Sequence, residues 1–319
     1  STLYTNHAMG YDNGSNGGAS LPTMWEQNAP VPMEFNFGGR SVWDDSTTIY
    51  EDQLQAAFRS PEDFNAFISG YLTESANDIE SQREAWNRMN LLNKIAATID
   101  MSSDMPGSVI NLTYEYNQRF QTNLTTQLLS TYLKEFLAFF VSTFKITSRM
   151  LEHRTVNYHW TPPKNNGAGN PLALLRHTPR ERQRVYLYEP LFIESEAWVL
   201  PEIFNTDFLN IDKQYQPVDY WQTPDGGMGI NVTPAIIETD TTDADYGTVV
   251  AGSAVETLVV GMITDVDGLM TNFQAEIARS TPIEARKGYR NVWTTFLRNN
   301  MIDQTENTVV FIMEDPATP

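Results

Sequence analysis

Apolar positions recur at three- and four-residue steps along one stretch: Phe64, Phe67, Ile68, Tyr71, Leu72, Ile79, Trp86, Met89 and Ile95. That spacing lays them largely on one stripe of an α-helix, with Asn65, Ser69, Ser81 and Arg88 on the other side. Ser60 is placed to cap the N-terminus, Pro61 takes the first helical position, and Asp63 completes a capping-box-like pattern. Only Gly70 interrupts, and no proline follows until Pro106. The pattern predicts a single helix over 60–98, about 55 Å long at ~1.5 Å per residue. Such a helix is either a coiled-coil arm or the spine of an elongated domain. Its stripe is aromatic-rich and not a sustained leucine/isoleucine seam, which favours the spine.

On the N-terminal side, residues 1–40 read as extended and irregular, with glycines scattered among Asn, Ser and Thr. They still carry Trp25, Met33, Phe35 and Phe37, which a purely disordered tail seldom does. Two readings stay open: an arm that orders against another subunit, or a loop packed on its own domain. Ser41 to Tyr50 reads as a strand. On the C-terminal side, Val109, Ile110, Leu112, Tyr114 and Tyr116 predict a strand over 109–116. Asn123 is a candidate cap for a second helix, whose stripe is Leu128, Leu129, Tyr132, Leu133, Phe136, Leu137, Phe140 and Phe144. Core packing explains that aromatic density better than a ligand pocket. Thr178-Pro179 opens a short helical turn, residues 185–188 and 218–221 read as strands, and 203–204 as the end of a short helix. Further on, 258–263 is a buried-type strand. Phe273 to Ile277 and Tyr289 to Leu297 form a hairpin around a loop at 280–288, with apolar groups on both faces. Val309 to Met313 closes the chain as a fully buried strand.

The 319 residues suffice for two domains, and 41% hydrophobic residues suffice for real cores. With no cysteine there is no disulfide, thiol nucleophile or thiolate metal site. The net charge of −19 argues against a nucleic-acid groove binder, which needs a basic face. The one basic cluster, Arg176, His177, Arg180, Arg182 and Arg184, lacks a Gly-rich phosphate loop, so it reads as ion-pair partners for carboxylates. The sequence contains no dinucleotide fingerprint, Walker loop, zinc-protease motif or nucleophile elbow. His153 and His159 are six apart, which does not place both on one helix face. Asp240, Asp243 and Asp245, or Asp265 and Asp267, could offer oxygens to calcium, but neither set has EF-hand spacing, and a solvated loop is the plainer reading. No catalytic residue, cofactor or metal site is therefore expected. An architecture of arm, long helix and closing strands without an active site reads as a self-assembling structural subunit.

Several strings resemble those of short-tailed phage head proteins: Phe58-Arg59-Ser60-Pro61-Glu62-Asp63-Phe64, His177-Thr178-Pro179 with Tyr186-Leu187-Tyr188, Val199-Leu200-Pro201 to Ile203-Phe204-Asn205, and Tyr289-Arg290-Asn291-Val292-Trp293. With the order of elements, they resemble the major capsid proteins of tailed double-stranded DNA phages, the Hong Kong 97 fold, over about residues 41–314. That resemblance implies an α+β fold. Residues 1–58 would be the N-terminal arm and extended loop, 59–116 and 270–319 a peripheral domain containing the spine helix, and 117–269 an inserted axial domain. It implies assembly into hexamers and pentamers of an icosahedral shell in the virion, and no enzymatic activity. The implied partners are further copies, scaffolding protein, portal, decoration proteins, and packaged double-stranded DNA held without sequence-specific binding; no membrane is involved. The stretch before the spine is short for this family, so either the chain starts after a maturation cleavage ahead of Ser1 or the arm is short. Lysine–asparagine crosslinking, known in some members, is not expected from six lysines without a matching motif. Inter-subunit contact candidates are Trp25, Phe35, Phe37, Trp43, Tyr50, Arg176, Arg180, Arg182, Arg286 and Lys287. The competing readings are a tail or decoration component, distinguished by symmetry, and a hydrolase using a carboxylate pair, distinguished by a concave site with two acids.

Overall fold

The helix expected over 60–98 spans Pro61–Asp100 (α1), 40 residues and about 60 Å long. Ser60 Oγ accepts a hydrogen bond from Asp63 N at 3.2 Å, and Glu62 and Asp63 lie at the positive end of the helix dipole. The structure is a computed structural model that describes residues 2–5, 31–34, 41–50, 60–126, 133–161, 174–191, 193, 215–240 and 242–315. The side chains of Phe64, Ile68 and Leu72 lie outside that description. Along the rest of the stripe burial is uneven. Phe67 and Met89 are 47% and 57% exposed, whereas Leu91, Leu92, Ile95 and Ala96 are buried. The last third of α1 packs in this subunit, and Phe67 and Met89 stay about half exposed.

Buried α1 residues meet a mixed six-stranded sheet. Its strands are β4 (Val109–Asn111), β5 (Gln183–Tyr188), β6 (Tyr215–Val218), β7 (Gly229–Val232), β10 (Val255–Asp265) and β13 (Thr308–Met313). The order is β4-β13-β10-β5-β6, with β7 also pairing β10. The closing strand is buried at every position, as its composition predicts. Val310 and Ile312 face α1, while Val309, Phe311 and Met313 face α2 (Leu112–Phe120) and α3 (Leu133–Leu151). On that second side Phe136, Phe140 and Phe144 of α3 are each 1% exposed, and Phe140 meets Phe311 edge-on at 5.7 Å. A bulge between Val259 and Gly261 shifts the alternation of β10 by one residue, so that Val260 and Met262 face opposite sides. A Cβ on Gly261 would collide with the Leu187 side chain and come within 2.8 Å of Tyr186 O.

A second sheet extends from this body. Strands β11 (Leu269–Ser280) and β12 (Tyr289–Ile302) form the expected hairpin, and β3 (Ser41–Tyr50) adds to β12, giving the order β11-β12-β3. Two small ribbons complete the described strands: β1 (Thr2–Thr5) with β2 (Val31–Glu34), and β8 (Ala235–Ile237) with β9 (Val249–Ala251).

Two expectations differ from what is found. The strand expected over 109–116 ends at Asn111, whose Oδ1 accepts from Thr113 N and Tyr114 N and so starts helix α2. Leu112 and Tyr116 are buried together because they are one helical turn apart, not alternate residues of a strand. The strand expected over 218–221 lies earlier, at 215–218. Trp221 falls beyond it, buried, with its indole N–H donating to Val259 O at 2.8 Å. Residues 203–204 lie outside the described residues, as do Leu128, Leu129 and Tyr132 and thus the expected early stripe of the second helix.

Candidate assembly surfaces

The three-stranded sheet has two unlike faces. One meets α1: the Trp43 ring packs against Trp86 at a tilt of 56° with ring centroids 3.8 Å apart, Phe296 lies opposite Trp43 and is buried, and the Arg298 guanidinium sits 4.4 Å from the Trp86 ring. Period-2 alternation sends Val42, Tyr50, Tyr289, Trp293 and Leu297 to the other face. There Val42, Tyr50 and Trp293 are 54%, 46% and 43% exposed, and Tyr50 pairs with Tyr289 at 5.8 Å. Asp44, Ser46, Thr48, Asn291 and Thr295 share that face, so exposed aromatic and aliphatic groups are set among polar ones. Arg286 and Lys287 lie exposed in the hairpin turn, at the same end as Tyr50.

Other candidates serve the subunit itself. Arg176 pairs with Glu306 at 2.6 Å and donates to Thr305 Oγ1, while Arg182 pairs with Asp265 at 2.8 Å and Asp267 at 2.5 Å. Those contacts occupy the two carboxylates that could have been taken for a calcium pair. They also hold the Arg182 guanidinium well above its ordinary pKa. Arg180 is exposed and forms no ion pair among the described residues. Trp25, Phe35 and Phe37 lie outside the described residues.

Sequence reasoning missed a buried polar hub on the connection 303–307 between β12 and β13. Lys94 of α1 is fully buried; its Nζ donates to Asp303 O at 2.7 Å and Gln304 Oε1 at 3.1 Å. Burial pulls its pKa down to about 8, against the opposing pull of Asp303 and Glu306. Burial pushes Glu306 up to about 7, with Arg176 opposing and Asp265, Asp303 and Asp267 adding to the rise. His159 bonds Asn307 Oδ1 at 2.8 Å and Leu174 O at 2.7 Å, a structural role, and burial lowers its pKa. Asp303 N donates to Gly268 O and Asp265 N to Asn307 O, so the two connections between the sheets are tied to each other. The hub thereby joins the root of the long hairpin to the six-stranded sheet and to α1. A lysine at position 94, beside Leu91 and Ile95, was the available signal.

Two grooves lie beside these surfaces. A groove of about 510 Å³ between α1 and β6 includes Glu84 and Asp219, but Glu84 is held by Arg88 at 2.9 Å. A second, of about 590 Å³ between α1, the β8–β9 ribbon and the hairpin root, is lined by amides and apolar groups without a carboxylate. Among the described residues no group of three or more metal-ligating side chains gathers, and no helix is long and apolar enough to cross a membrane.

The architecture has solved counterparts. A chain in the capsid structure of Staphylococcus phage Andhra superimposes with a TM-score of 0.59 at 11% identity, covering 98% of this chain and 80% of that one. The fold is the Hong Kong 97-type capsid fold. A chain in the structure of the head fiber and inner core protein of native bacteriophage P68 gives a TM-score of 0.56 at 10% identity, again covering 98% and 80%. No protein-family model matches the sequence, and no curated protein matches it.

Proposed function

We propose that this chain is the major capsid subunit of a tailed double-stranded DNA phage, building hexamers and pentamers of an icosahedral shell around the genome. The observation that carries the reading is the match of nearly the whole chain to a phage capsid structure. The open aromatic face of the long sheet and the half-exposed Phe67 and Met89 of α1 support it. The role is structural and not enzymatic, and the protein resides in the virion.

Residues 1–58 act as arm and extended loop, of which 41–50 adds to the long sheet as β3, with Trp25, Phe35, Phe37, Trp43 and Tyr50 contacting neighbours. The spine helix and the long sheet form the peripheral part, whose tip residues Arg286 and Lys287 meet an adjacent subunit. Residues 117–269 form most of the axial part around five- and six-fold axes. Because β4 and β13 pair into the six-stranded sheet, 109–111 and 308–313 go with it too. Scaffolding protein, portal and decoration proteins are the further partners. Packaged DNA is enclosed without specific contacts, which suits a net charge of −19. Velocity sedimentation of the purified chain tests the reading: shell-sized or ring-sized species are expected, and a stable monomer at high concentration overturns it.

A further inference from the structure

Helix α3 buries Phe136, Phe140 and Phe144, yet its opposite face is not polar throughout. Ile146 and Met150, one turn apart, are each 51% exposed. Around them lie Lys145, Arg149 and Arg154, all exposed, with Glu152 between the two arginines and Glu181 on the segment bonded to this end of α3. Arg149 and Arg154 form no ion pair among the described residues. Cations are favourable at a helix C-terminus, which accounts for Arg149 but not for two half-exposed apolar side chains beside it. On a chain with 40 acids and 21 bases, this patch is apolar and basic.

Its complement lies across the sheet. The β8–β9 ribbon is fastened to α1 through Asn93, whose side chain bonds both Ala235 N and Ala235 O. Its connecting turn carries Glu238, Asp240, Asp243 and Asp245 with no basic residue, and Val249 beside them is 73% exposed. Two surfaces of opposite charge, each centred on exposed apolar groups, thus sit on opposite sides of one body. They cannot meet within one subunit. A head-to-tail contact between copies brings them together, and such contacts close rings when the rotation between copies closes.

We propose that the outer face of α3 docks on the β8–β9 turn of a second copy of this chain. This rests on the self-assembly reading and names one contact within it. Steering between the opposite charges speeds encounter at low salt, and Ile146, Met150 and Val249 supply the desolvated centre.

The test uses the full chain and light scattering at low and high salt. Arg149→Glu with Arg154→Glu, and separately Asp243→Arg with Asp245→Arg, each weaken association about tenfold or more; all four changes together restore it to within about threefold. Arg149→Gln with Arg154→Gln gives a smaller loss in the same direction, and unfolding midpoints confirm that each variant is folded. A wild type that associates while either reversed pair leaves association unchanged overturns this contact alone, as does a fourfold variant that stays weak. So does retention of the wild type on double-stranded DNA that the arginine reversals abolish. A wild type that does not associate at all overturns both this contact and the self-assembly reading.

Discussion

Lys94 has the sharpest physical signature in the molecule. Burial takes its pKa from 10.5 down to about 8. At about 1.4 kcal/mol per pH unit, that fall is about 3 kcal/mol against the charged form. The folded chain releases this proton near pH 8 and the unfolded chain near 10.5, so between them the unfolded state binds more protons and stability rises with pH. Glu306 slopes the other way. Its carboxyl protonates near 7 when folded and near 4.5 when unfolded, so stability falls as pH rises through that window. Glu306 keeps some solvent contact, and screening holds this second effect to no more than about 2 kcal/mol. The hub therefore gives a stability minimum between about pH 7 and pH 8. Urea midpoints of unassembled wild type and Lys94→Met, taken from about pH 7 to pH 10, isolate the lysine because the tyrosines titrate in both. The wild type should gain about 2–3 kcal/mol relative to the variant between about pH 8 and pH 10. Parallel curves would refute the buried, charge-bearing lysine and with it the hub.

Other perturbations probe the frame. Gly261→Ala should cost about 2–3 kcal/mol in chemical denaturation, because the added methyl meets Leu187 and Tyr186 O at the β10 bulge. Phe140→Ala, removing a ring 1% exposed and edge-on to Phe311, should cost about 3–5 kcal/mol, read as a lower denaturation midpoint. Trp43→Ala loses the ring contact with Trp86, worth about 1 kcal/mol beyond its buried area, and should lower the subunit's denaturation midpoint, whereas Trp293→Ala on the open face should reduce shell yield with little change in that midpoint when sedimentation and melting are compared.

The elements written in local pattern were legible in the sequence. The cap at Ser60 with the stripe behind it gave α1 to within two residues at its far end. The uninterrupted apolar run gave β13, and apolar groups on both faces gave the long hairpin. Helix α2 was not legible because Leu112, Tyr114 and Tyr116 satisfy a two-residue period as well as a helical turn. Asn111 decides between them through bonds that only the folded backbone supplies. The hub was not legible because Lys94 and its partners are 209 and 210 residues apart in the chain. Nor did the stripe on α1 say which of its members the subunit buries: Ile95 is sealed and Met89 open, a difference set by where the six-stranded sheet ends. Among the basic residues, charge alone could not separate Arg176 and Arg182, tied to carboxylates on the same chain, from Arg180, Arg286 and Lys287 at the surface.

Electron microscopy of the purified full chain tests the central claim most directly. Closed icosahedral particles, with the long sheet of one subunit lying against its neighbour in a reconstruction, are the predicted result. Isolated monomers, or tubes without five- and six-fold vertices, would contradict it.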